Sequence, residues 1–143
     1  MSSSPDELCR AELRIDGPAG AWSARFASTI NDEPAAQVWD TAGQLVVKYG
    51  FHCFGLDTRT GARRWGHRSA TPVLAIFASP RWRHVVAQAE LETFAIEADG
   101  SVAWRIAHSD VVVEAALVGG RLVLTAYGGG VNSLDPATGR SAA

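Results

Sequence analysis

Apolar and polar residues alternate in short runs along most of the chain, and the runs recur as sets. Residues 21–26 place Trp22, Ala24 and Phe26 on one side at a period of two, which predicts a half-buried strand. From residue 36 the pattern becomes regular. Residues 36–39, 45–49, 52–56 and 63–67 read as four short strands, divided by Thr41-Ala42-Gly43, by Gly50 and by the turn Thr58-Arg59-Thr60-Gly61. A second set follows at 73–78, 84–88, 93–96 and 102–107, and a third at 112–117, 121–126 and 131–134. The third set runs on into Asp135 to Gly139 without a fourth strand. Upstream, Ser4-Pro5-Asp6-Glu7 has the form of a capped helix start, a short helix reaching about Leu13, whereas residues 12–16 fit a strand equally well. Gly17-Pro18 breaks the chain, and residues 31–34 read as a loop.

The sets keep phase. Gly61, Gly100 and Gly139 follow one another at an interval of 39 residues, and so do Trp65 and Trp104. Four antiparallel strands in a unit of about 40 residues is how a propeller blade appears in sequence. A β-sandwich also has many short strands, but nothing in it fixes a Gly and a Trp at constant phase. A WD-type repeat is disfavoured because Trp39-Asp40 and Gly66-His67 occur in reversed order and neither recurs. The expected fold is therefore all-β, about three propeller blades over residues 21–143, with residues 1–20 as an N-terminal extension.

Each repeated position has a physical reason. A Gly after Asp-x-x-Thr takes the left-handed conformation that closes a tight turn, while the Asp and Thr side chains bond local amides. The Trp that follows buries a large flat ring and offers one N–H to a carbonyl. On these residues the chain resembles the tryptophan-docking repeat of the quinoprotein, or PQQ-like, β-propeller family, whose blades carry A-x-D-x-x-T-G-x-x-x-W. Residues 55–65, Gly-Leu-Asp-Thr-Arg-Thr-Gly-Ala-Arg-Arg-Trp, match it with Gly55 where Ala is usual. Residues 95–104 match a version one residue shorter, with Glu97 for Asp, and residues 133–139 match as far as the Gly. The resemblance implies structural docking roles for Asp57, Gly61, Trp65, Gly100, Trp104, Asp135 and Gly139, with Trp22 placed as a further docking Trp.

Three units fall short of the four to eight blades of a closed ring. Two readings follow: a homodimer in which each chain donates its N-terminal strand to the other's last blade, giving a six-bladed ring with twofold symmetry, or a fragment of a longer protein or three-blade wedge capped by the N-terminal segment.

Composition narrows the function without naming it. With 47% hydrophobic and 20% charged residues and a net charge of -2, the 143-residue chain is globular and has no long-range field for nucleic acid. Cys9 and Cys53 have neither metal nor redox spacing. The acidic start and the lack of a long apolar run predict a cytoplasmic protein that does not enter a membrane. Within the family resemblance, dehydrogenases bind pyrroloquinoline quinone and calcium through a vicinal Cys pair, a Trp floor and acidic and amide ligands, a set that this sequence lacks. No cofactor, metal or catalytic residue is expected. His52, His67, His84 and His108 accompany no nucleophile motif, and Gly128-Gly129-Gly130 reads as a hairpin turn, since no helix or Lys-Ser/Thr follows.

Two groupings remain as candidates. Lys48, His52, Gln88 and Glu92 fall near equivalent hairpins and would line a polar pocket at one channel face, with solvated turns as the alternative reading. Arg59, Arg63, Arg64, His67 and Arg68, joined by Arg81, Trp82 and Arg83, would hold an acidic protein surface or a nucleic acid strand, unless they only keep outer strands soluble. The expected function is a non-catalytic scaffold or protein-binding module. The alternative is a small-ligand or carbohydrate binder using Trp39 or Trp82, and a quinoprotein enzyme fragment ranks last.

Overall fold

The computed structural model describes residues 9–17, 20–28 and 34–141. The expected helix start at Ser4 to Glu7 and most of the loop at 31–34 lie outside them. Among the described residues, thirteen strands form four antiparallel sheets. A hairpin pairs β1 (Cys9–Gly17) with β2 (Gly20–Ser28). The first full sheet holds β3 (Ala35–Trp39), β4 (Gln44–Tyr49), β5 (His52–Asp57) and β6 (Arg63–Arg68) in sequence order. The second holds β7 (Val73–Phe77), β8 (His84–Ala89), β9 (Glu92–Glu97) and β10 (Val102–Ala107). The third holds β11 (Val112–Val118), β12 (Arg121–Ala126) and β13 (Val131–Leu134), with Leu134 bridging on to Ser141.

Every strand read from residue 36 onward is present to within a residue or two at its ends. The N-terminal segment resolves as a strand: Arg10 to Asp16 alternate exposed and half-buried, and β1 pairs with β2 residue for residue. Residues 9–17, read as part of an extension, thus supply half of a hairpin. Strand β2, read as a lone strand donated to a second chain, is here paired along its length with β1 and packed on the first sheet of its own chain.

Alternation explains how the sheets stack. On β4, Leu45, Val47 and Tyr49 point to the hairpin and pack with Leu13, Ile15, Trp22 and Phe26, while Val46 points to the second sheet. On β8, Val85, Ala87 and Ala89 face back to the first sheet and Val86 faces forward to the third. On β12, Leu122 and Leu124 face back. The middle strands β4 and β8 are buried at every position because both faces are covered. Strand β7 lies against both β3 and β11, so the first strands of successive sheets converge. Sheets whose first strands converge fan out as propeller blades. The hairpin closes one side of the fan, since its outer face carries Glu12, Arg14, Asp16 and Arg25, with ion pairs Arg14–Asp16 and Arg25–Glu12. A polar outer face is what an end unit needs.

Candidate interaction site

Gly61, Gly100 and Gly139 all take positive φ, at 76°, 91° and 75°. In each Asp-x-x-x-Gly or Glu-x-x-Gly turn the glycine amide donates to the acidic residue's own carbonyl, from 2.7 to 2.9 Å. An indole of the preceding sheet lies on each turn. A Cβ on Gly61 would come within 2.5 Å of Trp22, one on Gly100 within 2.7 Å of Trp65, and one on Gly139 within 2.5 Å of Trp104. The glycines are needed twice, for the backbone angle and for the room.

The polar ends of these indoles differ from one interface to the next. Trp22 Nε1 donates directly to the Thr58 carbonyl at 2.9 Å. Trp65 Nε1 donates to Gln44 Oε1 at 2.8 Å, and Gln44 Nε2 donates in turn to the Ala98 carbonyl at 2.8 Å. At the third interface His84 stands where Gln44 stood, with its Nε2 2.8 Å from the Pro136 carbonyl, and Trp104 Nε1 is buried without an acceptor. Gly55 accounts for part of the difference. It lies opposite Trp65, and a Cβ there would overlap the indole nitrogen. Ala95 lies opposite Trp104, which is only half-buried.

Of the four channel-face candidates, Gln88 and Glu92 touch, while His52 and Lys48 lie on opposite faces of the first sheet. His52 pairs with Tyr49 on the hairpin side of the first sheet and stacks on Phe54 at 5.6 Å. Burial, then Arg68 and Arg63, hold its imidazole below the usual histidine range. Lys48, buried, pairs with Cys53 on the opposite face of that sheet. Glu92 accepts from Ser69 Oγ at 2.9 Å and pairs with Arg105 Nε at 3.0 Å. Gln88 is fully buried and donates to the Ala89 and Glu92 carbonyls, while its Oε1 accepts from Thr93 Oγ1 at 2.6 Å. Thr93 has one proton to give, so His108 Nε2, 2.6 Å away, donates to it. Desolvation lowers the affinity of His108 and His67 for a proton, and Arg105 adds to the effect at His67. Glu92 thus ties the segment after the first sheet to the second, while Gln88 bonds within the second sheet.

The basic grouping also divides. Arg64 pairs with Asp57 at 2.6 Å, a bond that holds the Asp57 carboxyl below the usual carboxylate range. Arg63 lies 4.5 Å over the Phe54 ring and Arg68 6.0 Å over Phe51, while His67 Nε2 meets Arg105 at 3.1 Å. Arg59 is exposed. Arg81, Trp82 and Arg83 stand apart. They border an open groove of about 510 Å³ between the second and third sheets, completed by His84, Glu97, Trp104 and Thr138. Trp82 stacks over His84 with ring centres 6.4 Å apart, and His84 meets Trp104 edge-on at 6.1 Å.

Trp39 is core, 2% exposed, so it cannot receive a sugar. Cys53 is fully enclosed, and burial pushes its thiol up to about 12. Sealed in the core, neither Trp39 nor Cys53 is placed to contact a quinone. Among the described residues no three His, Cys, Asp or Glu side chains gather as a metal-binding group, and no helix is long and apolar enough to cross a membrane.

The forward face of the third sheet is uncovered. Register places Ala116, Val118, Val123 and Val131 on it, together with Glu114, Arg121, Thr125 and Ser133. Val118 is 59% exposed and Val131 69%. The corresponding forward faces of the other two sheets read polar-Val-polar on the second strand, Gln44-Val46-Lys48 and His84-Val86-Gln88, and all six are buried. Strand β12 carries the same pattern as Arg121-Val123-Thr125.

Repeated blades, convergent first strands and an indole laid on each following turn define a segment of a β-propeller. Residues 54–142 match the PQQ-like family described as outer membrane protein assembly factor BamB, and the chain belongs to that family. Among curated proteins none matches at a significant level. Solved structures with the same fold include dihydro-heme d1 dehydrogenase NirN in complex with DHE, at TM-score 0.63 and 15% identity, over 76% of this chain and 27% of that one. BamB from Moraxella catarrhalis aligns at TM-score 0.57 and 18% identity, over 95% of this chain and 50% of that one. A chain of a mitotic checkpoint complex aligns at TM-score 0.56 and 19% identity, over 76% and 38%. The chain spans half or less of each of these proteins.

Proposed function

We propose that the chain is a non-catalytic propeller module that acts by protein association, and that a second copy covers the forward face of its third sheet. The observation that carries this reading is the exposed Val118 and Val131, flanking a half-buried Val123, on a face whose counterparts are buried in the other two sheets. An apolar surface left to water costs about 25 cal/mol for each Å² that association would remove. Charge placement supports a second copy. Glu114 and Arg121 lie at opposite ends of the face, so a twofold axis through its centre sets each against the other. Glu92, one of the titratable groups the sequence singled out, is engaged between Ser69 and Arg105 where two sheets meet, which supports a scaffold. BamB is described as an assembly factor, which agrees with an associating role. The test is light scattering of the native chain beside Val123→Glu and Glu114→Arg. The native chain is expected to have twice the 15.2 kDa formula mass, Val123→Glu the formula mass, and Glu114→Arg a weakened dimer restored by adding Arg121→Glu. A native chain that stays monomeric as concentration rises overturns the proposal.

A further inference from the structure

The groove beside Trp82 has features that the propeller repeat does not require. The equivalent place in the first sheet, just ahead of Gln44, carries Thr41, Ala42 and Gly43 and so has neither a basic wall nor an indole. The difference begins in the connection between first and second strands, which spans residues 40–43 in the first sheet and 78–83 in the second. The longer connection is built as a fixed turn. Ser79 anchors it twice, its hydroxyl accepting from the Arg81 amide and its carbonyl from the Trp82 amide, both at 3.2 Å. Arg81, Trp82 and Arg83 are thereby presented together without being tied down. Arg81 has no side-chain partner among the described residues, and Arg83 reaches Glu97 only at 3.9 Å with its side chain 87% exposed.

We propose that this groove is a docking site for an acidic segment of a partner protein, one that sets an aromatic or apolar side chain on Trp82 and carboxylates on Arg81 and Arg83. At about 510 Å³ the groove holds a few side chains and no folded domain. Its floor is rigid: Trp82 rests on His84, which the Pro136 carbonyl holds at 2.8 Å, and His84 rests on Trp104. A prearranged floor lowers the ordering cost of binding. Two guanidiniums against the single carboxylate of Glu97 leave an excess positive charge, and guanidinium is the group best shaped to take a carboxylate on two N–H donors. A nucleic-acid strand is the weaker fit, since it needs a track of cations along several phosphates, and the chain as a whole carries a charge of -2.

Fluorescence anisotropy tests the proposal with a labelled Glu-Glu-Trp-Glu-Glu peptide and, separately, a labelled oligothymidine. The peptide is expected to bind saturably, and Arg81→Glu, Arg83→Glu and Trp82→Ala are each expected to weaken it roughly tenfold or more. Arg59→Glu, the same charge change on an exposed turn of the first sheet, is expected to leave the affinity unchanged. Measuring Val123→Glu beside the native chain separates the groove from self-association, because the peptide should bind both equally. Absence of saturable peptide binding overturns the inference. So does affinity unaltered in Arg81→Glu and Arg83→Glu, or preference for the oligothymidine.

Discussion

Replacing Gly55 by Ala adds one methyl group to the protein, and the structure makes it among the most costly single methyls the chain can receive. The new Cβ would overlap Trp65 Nε1 and lie 2.7 Å from Gln44 Oε1, the donor and acceptor of one buried hydrogen bond. Trp65 is 7% exposed and Gln44 5%, so neither side chain has free volume to retreat into. Overpacking of this kind costs about 1–3 kcal/mol. Pushing the indole aside also breaks its bond to Gln44, and a buried polar group left unsatisfied costs about another 1–3 kcal/mol. The expected loss is therefore roughly 2–6 kcal/mol, a large part of the ~5–15 kcal/mol that holds a typical domain folded. In melting temperature this is a fall of about 5–20 °C. Urea unfolding followed by tryptophan emission measures it, with far-ultraviolet circular dichroism to show that the sheets persist. Pairing Gly55→Ala with Gln44→Ala separates the causes. If the methyl acts by breaking the bond between Trp65 and Gln44, the double variant loses less than the two single losses combined. A loss under about 0.5 kcal/mol, or strict additivity, would refute the reasoning. Ala95 occupies the equivalent place in the second sheet, so the variant should turn Trp65 into a ring like Trp104, half-buried with its N–H unbonded.

Three other outcomes follow from the same contacts. Burial raises the Cys53 thiol to about 12, so it should ignore a thiol reagent in the native chain and react fully in denaturant; fast native reaction would show the core is open there. His52, His67 and His108 all bind protons less readily folded than unfolded, chiefly through burial. The unfolded chain therefore takes up protons first as pH falls past the ordinary histidine value of 6.5, and urea midpoints should drop across that range, then level off once the folded histidines also titrate. Asp57 and Asp99 are held below the usual carboxylate value, Asp57 first by its bond to Arg64 and Asp99 by its bonds to Ser101. Their contribution is present above the unfolded carboxylate value and disappears as pH falls through the folded one, so Asp57→Asn should flatten the acid limb of the stability profile.

Much of the fold was legible because strand alternation, turn glycines and docking tryptophans each repeat at nearly fixed phase, and three agreeing signals leave little room for another sheet arrangement. The N-terminal hairpin was half legible: Trp22, Ala24 and Phe26 declared β2, but β1 has only Ala11, Leu13 and Ile15 at alternate positions, too sparse to separate from a helix turn. For the candidate pocket, the face each residue takes was the missing fact. Lys48, His52, Gln88 and Glu92 hold similar places in sequence, but the period of two turns Lys48 and Glu92 toward the interface of the first and second sheets, His52 toward the hairpin and Gln88 toward the third sheet. The roles of Gln44 and His84 were missed because each lies at the start of a second strand, far in sequence from the indole it serves. The available signal was their shared place in successive blades, a polar residue opening a strand that is otherwise almost wholly apolar. Trp82 and its flanking arginines were visible as a basic, aromatic cluster. Their separation from the arginines of the first sheet is a matter of tertiary placement alone.

The central claim is that successive sheets are blades fastened by an indole of one sheet laid on the turn of the next. Proton exchange of the five indole N–H groups, read by nitrogen-edited NMR, tests it most directly. The account predicts a strongly protected Trp65 signal that shifts and loses protection in Gln44→Ala, while the Trp22 signal, bonded to the Thr58 carbonyl in another interface, stays where it was. A Trp65 indole that exchanges as freely as an exposed one and ignores Gln44→Ala would contradict it.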